Sequence, residues 1–205
     1  MKETKRKEKL VFATGNAGKL REIRKILADL DMEILSAKEM GIEIPVEENG
    51  ATFEENAILK AKAIAEACTE TVTVLADDSG LEIDYLNKEP GIYSARYMGE
   101  DTPYSIKNAS LVERLNGVPD EERTARFVCV IAAVFPDGET KTAHGVIEGR
   151  IGYEEKGTNG FGYDPIFYLP ALGRTSAELS DDEKNEISHR GKALRQIKKE
   201  LEKRI

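Results

Sequence analysis

An apolar pentad followed at once by an amphipathic helix signal constrains this chain more than any other feature. Leu10-Val11-Phe12-Ala13-Thr14 predicts a buried strand closed by Gly15-Asn16. Leu20, Ile23, Ile26, Leu27 and Leu30 then recur at helical spacing between charged residues. Met32 to Leu35 predicts a second strand, which completes a strand–helix–strand unit. Further on, Ala125 to Phe135 predicts the most apolar strand. Pro136-Asp137-Gly138-Glu139 turns it into Thr140 to Ile147 as a β-hairpin. Strand–helix units and a long hairpin in one chain imply an α/β fold with a mixed sheet flanked by helices.

Between these anchors, Thr52 is placed to cap a helix from Phe53 to Cys68, with Glu55 three residues on. Val72 to Ala76 predicts a strand that stops at Asp77-Asp78-Ser79-Gly80, and Leu81 to Asp84 a further short one. Gly91 to Gly99 reads as irregular and Pro103 to Leu115 as helical. Gly157 to Gly162 forms a Gly-rich loop, and Ser180 to Glu183 a capping box. Leu194, Ile197 and Leu201 mark a C-terminal helix. No repeat or composition break divides the 205 residues, so residues 10–205 are expected to be one domain after a charged, disordered tail at 1–9.

Charge and apolar runs narrow the partners. Thirty Lys+Arg against 38 Asp+Glu leave a net charge of −8, which argues against a duplex nucleic-acid surface but permits one small anion in a local basic pocket. The longest apolar run, Phe127 to Phe135, falls far short of the ~20 residues of a membrane span. No apolar stretch follows the charged start that would make a signal peptide. Cys68 and Cys129 lie in apolar contexts without metal-like spacing. Reduced, buried thiols in a cytoplasmic protein are therefore expected.

Chemistry can sit at five places. Thr14-Gly15-Asn16-Ala17-Gly18-Lys19 joins a strand to a helix N-terminus, where backbone N–H groups and a positive dipole end suit phosphate and Lys19 adds a charge. The same residues also suit an ordinary tight turn with Asn16 as N-cap. Asp77-Asp78-Ser79-Gly80 offers either a ligand-facing carboxylate at a strand end or a polar turn. Glu47-Glu48 is either a second carboxylate for a hard divalent cation or a solvated loop. Gly160-Phe161-Gly162-Tyr163-Asp164-Pro165 leaves a ring face for a base or plugs the core. Lys184, His189 and Arg190 form either a donor-rich cluster for phosphate or carbonyl oxygen or a charged helix junction.

Together these segments resemble the inosine triphosphate pyrophosphatase family. The resemblance is carried by Thr14 to Lys19, Thr52-Phe53-Glu54-Glu55-Asn56-Ala57, Ala76-Asp77-Asp78-Ser79-Gly80-Leu81, Pro90-Gly91-Ile92-Tyr93-Ser94-Ala95-Arg96-Tyr97, Gly160 to Phe167 and Ser188-His189-Arg190-Gly191. It implies an elongated mixed sheet with helices in two lobes around a central cleft, usually as a homodimer. It also implies Mg²⁺-dependent hydrolysis of ITP, dITP and XTP to the monophosphate and pyrophosphate.

On that resemblance, Thr14, Gly15, Asn16, Ala17, Gly18 and Lys19 would hold the triphosphate. Asp78 would activate water or bind Mg²⁺, Glu48 would be the second metal carboxylate, and Ser79 would touch the substrate. Phe161, Gly162, Tyr163 and Asp164 would meet the base, with Lys184, His189 or Arg190 donating to its 6-oxygen. A free Asp has a pKa of about 3.9, so the metal is expected to carry much of the activation. Two other readings are a pyrophosphatase for modified pyrimidine nucleotides and a nucleotide-binding regulator without turnover.

Overall fold

The structure, a computed structural model, describes residues 8–204. The first turn is set by local chemistry. Strand β1 (Glu8–Phe12) gives way at Asn16, whose side-chain oxygen accepts from the N–H groups of Gly18 and Lys19 and so opens α1 (Ala17–Ile26). Strand β2 (Met32–Ser36) pairs parallel with β1, as expected for a strand–helix–strand unit. Glu8 and Lys9, expected in the tail, are instead the first two residues of β1. They register with Met32 and Glu33, and Lys9 pairs with Glu70 at 2.7 Å, so backbone pairing and an ion pair outweigh their polarity. Expectations for residues 1–7 lie outside the described residues.

Thr52 caps α2 (Phe53–Ala67) by accepting from the Glu55 N–H. The Glu55 carboxylate takes the Ala51 N–H, one residue earlier than a standard capping box would have it. Strand β3 (Thr73–Ile83) corrects the expectation of two short strands around a polar turn, because Asp77-Asp78-Ser79-Gly80 continues the extended chain. Tertiary contacts to these polar side chains override their turn preference. After α3 (Tyr104–Arg114), β4 (Thr124–Val134) and β5 (Thr140–Ile151) are joined through a turn in which Gly138 donates to the Phe135 carbonyl. Short strands β6 (Phe167–Leu169) and β7 (Arg174–Thr175) precede α4 (Asp181–Ile187) and α5 (His189–Glu202). The capping box at Ser180 and Glu183 is present as expected. The seven strands lie in the order β2-β1-β3-β4-β5-β6-β7. β3 runs parallel to β1, and β6 is antiparallel to both β5 and β7, which makes the sheet mixed.

The chain divides into two compact units. The first comprises the described part of Met1–Asp78 with Val130–Ala143 and Ala193–Ile205; the second comprises Ser79–Cys129 and His144–Lys192. In the first, Leu10, Val11, Phe12, Ile23, Val74 and Leu75 are buried, at strand and helix positions anticipated from spacing. In the second, Leu81, Leu111, Phe127, Ile151 and Phe167 belong to one apolar cluster. Arg123, 1% exposed, donates there to the carbonyls of Leu115, Ile151 and Gly152 at 2.6–2.8 Å. Its charge is buried but each arm of its fork is occupied. Both cysteines are free thiols. Cys129 is buried as expected, but Cys68 is only partly so because it sits at the C-terminal cap of α2.

Candidate active site

The first unit gathers a mixed-charge group from four chain segments. Lys19, in the first turn of α1, meets Asp77 Oδ2 at 2.9 Å, and Asp77 is 1% exposed. The Lys60 Nζ, on α2, donates to the Asp77 carbonyl at 3.0 Å and to Glu48 Oε1 at 2.8 Å. Asn56, one turn earlier on the same helix, donates from Nδ2 to Asp78 Oδ2 at 3.1 Å. Successive residues of a strand face opposite ways, which is why Asp77 and Asp78 have different side-chain partners.

Burial raises the Asp78 carboxyl above the usual Asp range. Lys60, the Asn56 hydrogen bond and Lys19 oppose that rise, and Glu48 adds to it. Lys60 shows the converse: burial works against its charge, but Asp77, Glu48 and Asp78 hold its ammonium above the ordinary value. Glu48 and Asp78 therefore sense each other and share one lysine. Glu48 is partly buried and Glu47 exposed.

This donor set suits a hard cation. Among the described residues no three His, Cys, Asp or Glu side chains group to hold a metal ion. Mg²⁺ does not need three, because it takes one or two carboxylates and fills its octahedron with water and phosphate oxygens. Glu48 and Asp78 are the carboxylates here that could supply it.

The Thr14 to Lys19 junction is both a capped turn and a cationic one. Thr14 Oγ1 accepts from the Asn16 N–H at 3.1 Å, and Asn16 in turn engages the Gly18 and Lys19 N–H groups. The Asn16 cap is thus real. Gly15, Asn16 and Ala17 are exposed, and a side chain at Gly15 would meet open space.

The second unit holds the remaining candidates. Gly160 and Gly162 both adopt positive φ, 75° and 68°, and a Cβ at Gly160 would collide with the Asp164 carboxylate. Asp164 Oδ2 accepts from the Phe161 N–H at 2.8 Å and from Lys184 Nζ at 2.7 Å. It is 3% exposed, so it closes the turn and anchors the lysine. The half-buried Phe161 ring lies 4.7 Å from Lys184 Nζ and 5.5 Å from the Arg190 guanidinium. Arg190 also donates to Ser79 Oγ at 3.0 Å.

Two candidates are placed otherwise than expected. Tyr163 is buried and its hydroxyl donates to the Ser94 carbonyl at 2.6 Å, which makes it a brace of the core. His189 opens α5 instead of preceding it. Its ring is stacked on Phe127 at 4.9 Å. Lys60 and Asn56 escaped the reading of the sequence as functional residues. Their signal was present: Phe53, Asn56, Ala57, Lys60, Ala61 and Ile64 share one stripe of α2, so two polar side chains stand on an otherwise apolar face.

Comparison with known proteins identifies the family. The model of the Ham1 family matches residues 10–200. A protein from Clostridium perfringens named dITP/XTP pyrophosphatase is 50% identical over 198 residues, covering 95% of this chain and 97% of its own. Its namesake from Exiguobacterium sibiricum is 49% identical over 193 residues, covering 94% and 96%. The solved structure of the Staphylococcus aureus Ham1 protein superposes with a TM-score of 0.85 at 44% identity, over 97% of this chain and 100% of that one. With the match running through every segment that supplies the two groups, the chain belongs to the Ham1 family.

Proposed function

We propose that this protein hydrolyses non-standard purine nucleoside triphosphates (dITP, ITP and XTP) to the monophosphate and pyrophosphate. The observation that carries the reading is Asp78: a buried carboxylate held by Asn56 in a group with Lys19, Lys60 and Glu48. A pure anion binder gains nothing from placing carboxylates among its lysines. A hydrolase that must activate water beside a polyphosphate does.

The roles follow from charge. Lys19 and Lys60 exchange their carboxylate partners for phosphate oxygens and neutralise charge on the chain being cleaved. Asp78, with its proton affinity raised by burial, accepts the proton of the attacking water at the α-phosphorus, and pyrophosphate leaves. Glu48 and Asp78 would hold a magnesium ion, which when bound would neutralise further phosphate charge and acidify water.

Base choice belongs to the second unit. Lys184 and Arg190 carry N–H groups that match the 6-oxygen of hypoxanthine and xanthine and oppose the 6-amino group of adenine. A mismatch of that kind in a site built for hydrogen bonding reaches ~10⁴-fold. Phe161 supplies the apolar face for the purine. The names of the relatives, each a dITP/XTP pyrophosphatase, support this choice of substrate. We extend the reading to a homodimer in the cytoplasm; no helix among the described residues is long and apolar enough to cross a membrane.

The test is a product assay with ITP, XTP, dITP, GTP, ATP and dTTP and UTP derivatives that separates pyrophosphate from orthophosphate. Pyrophosphate release led by the first three supports the proposal. A preference for dTTP or UTP derivatives, or binding without turnover, overturns it.

A further inference from the structure

Asn56 is 0% exposed and has both ends of its carboxamide committed. Oδ1 accepts from the Gly50 N–H at 2.8 Å, and Nδ2 donates to Asp78 Oδ2 at 3.1 Å. The orientation of the amide is forced, because a peptide N–H only donates and a carboxylate only accepts. Gly50 lies two residues after Glu48, so one side chain ties the loop bearing that carboxylate to Asp78.

The tie is short and supported. A Cβ at Gly50 would stand 2.8 Å from Asn56 Oδ1 and 2.7 Å from Glu55 Cβ, so the turn approaches the helix as closely as only glycine permits. The first turn of α2 fastens the same stretch twice more, through Glu55 to the Ala51 N–H at 2.6 Å and through Thr52 to the Glu55 N–H at 3.1 Å. Asn56 thus projects from a fixed platform.

We infer that Asn56 is a positioning residue: its single carboxamide fixes the Asp78 carboxylate relative to the Glu48 loop. It touches neither substrate nor metal and acts only through Asp78 and Gly50. The inference rests on the reading of Asp78 as the reacting carboxylate.

The experiment compares Asn56→Ala, which removes both bonds, with Asn56→Leu, which removes them while keeping the branched heavy-atom shape. Asp78→Asn serves as control. Steady-state kinetics on ITP, a folded-state check by circular dichroism and a thermal unfolding curve are recorded for each. A carboxylate free to swing by ~1 Å costs about 100-fold in rate, so kcat should fall about 30- to 100-fold with KM within about threefold. A residue that only stabilises the fold would lower the unfolding midpoint and leave kcat of the folded enzyme alone.

A folded Asn56 variant with kcat within about twofold of the parent, or with its loss confined to KM, overturns the inference. So does failure of both variants to fold, which would make Asn56 a structural residue. Asp78→Asn separates the two layers. If it still releases pyrophosphate at the parental rate, the functional reading fails; if it is inactive while the Asn56 variants are normal, only the positioning role fails.

Discussion

Replacing Lys60 by Met tests the electrostatic account directly. The ammonium sits 2.8 Å from Glu48 Oε1 and 3.0 Å from the Asp77 carbonyl, with its side chain 15% exposed. At an effective dielectric constant of ~20, one ion pair at that distance is worth ~6 kcal/mol before desolvation. Returning the lysine to water recovers several kcal/mol of that, and Glu48 keeps 28% exposure and remains screened. A net loss of about 1–3 kcal/mol is therefore expected, or a fall of ~2–12 °C in the unfolding midpoint of a chain this size.

The effect on catalysis should be larger. Without Lys60, Asp78 loses the strongest of the contacts that oppose its protonation, while burial and Glu48 still favour it. Its carboxyl rises further, and the acidic limb of the kcat/KM profile moves to higher pH. Phosphate oxygens lose a cation as well, so kcat/KM on ITP should drop by about 10²–10³. Differential scanning calorimetry and a pH–rate series measure both. An unmoved acidic limb together with undiminished kcat/KM would refute the reasoning.

Asp78→Asn keeps the shape and removes the charge. It should abolish pyrophosphate release while nucleotide affinity, measured by calorimetry, stays near parental; substantial turnover would contradict the assignment. Arg123→Met strips the Leu115, Ile151 and Gly152 carbonyls of their shared donor. Chemical denaturation should show a loss of about 3 kcal/mol or more, and a value near zero would mean those carbonyls find other donors. Glu39 and Glu183 are held at about 2 against an ordinary 4.5, Glu39 first by Arg24 and Glu183 first by the Ser180 N–H. Their contribution is complete above pH 4.5 and is lost as pH falls through about 2, so thermal stability should decline across that window. Gln at both positions should flatten the decline, and an unchanged slope would count against it.

The sequence shows most where structure depends on neighbours along the chain. The Asn16 cap, the Thr52 cap and the Ser180–Glu183 box were legible because each donor lies within three residues of its acceptor. The run through Asp77-Asp78-Ser79-Gly80 was not. Local preference makes it a turn, and side chains 17 or more residues away in sequence, among them Lys19, Asn56, Lys60 and Arg190, make an extended, buried course tolerable.

The same logic separates the site residues. Asp78 and Phe161 stood out within motifs, Glu48 as one of an acidic pair and Lys184 in a donor-rich cluster, and the structure gives each a charged or aromatic neighbour. Lys60 carried no motif of its own. Its place depends on which face of α2 turns inward, and so on a strand that follows it. Tyr163 reads from the sequence like a ligand contact because it shares a motif with Phe161, yet its hydroxyl is consumed by Ser94.

Lys19 and Lys60 each already rest on an internal carboxylate, Asp77 and Glu48. On the proposed reading, an entering phosphate has to displace these resident counter-ions, and a polyphosphate can displace both where a lone orthophosphate would displace one.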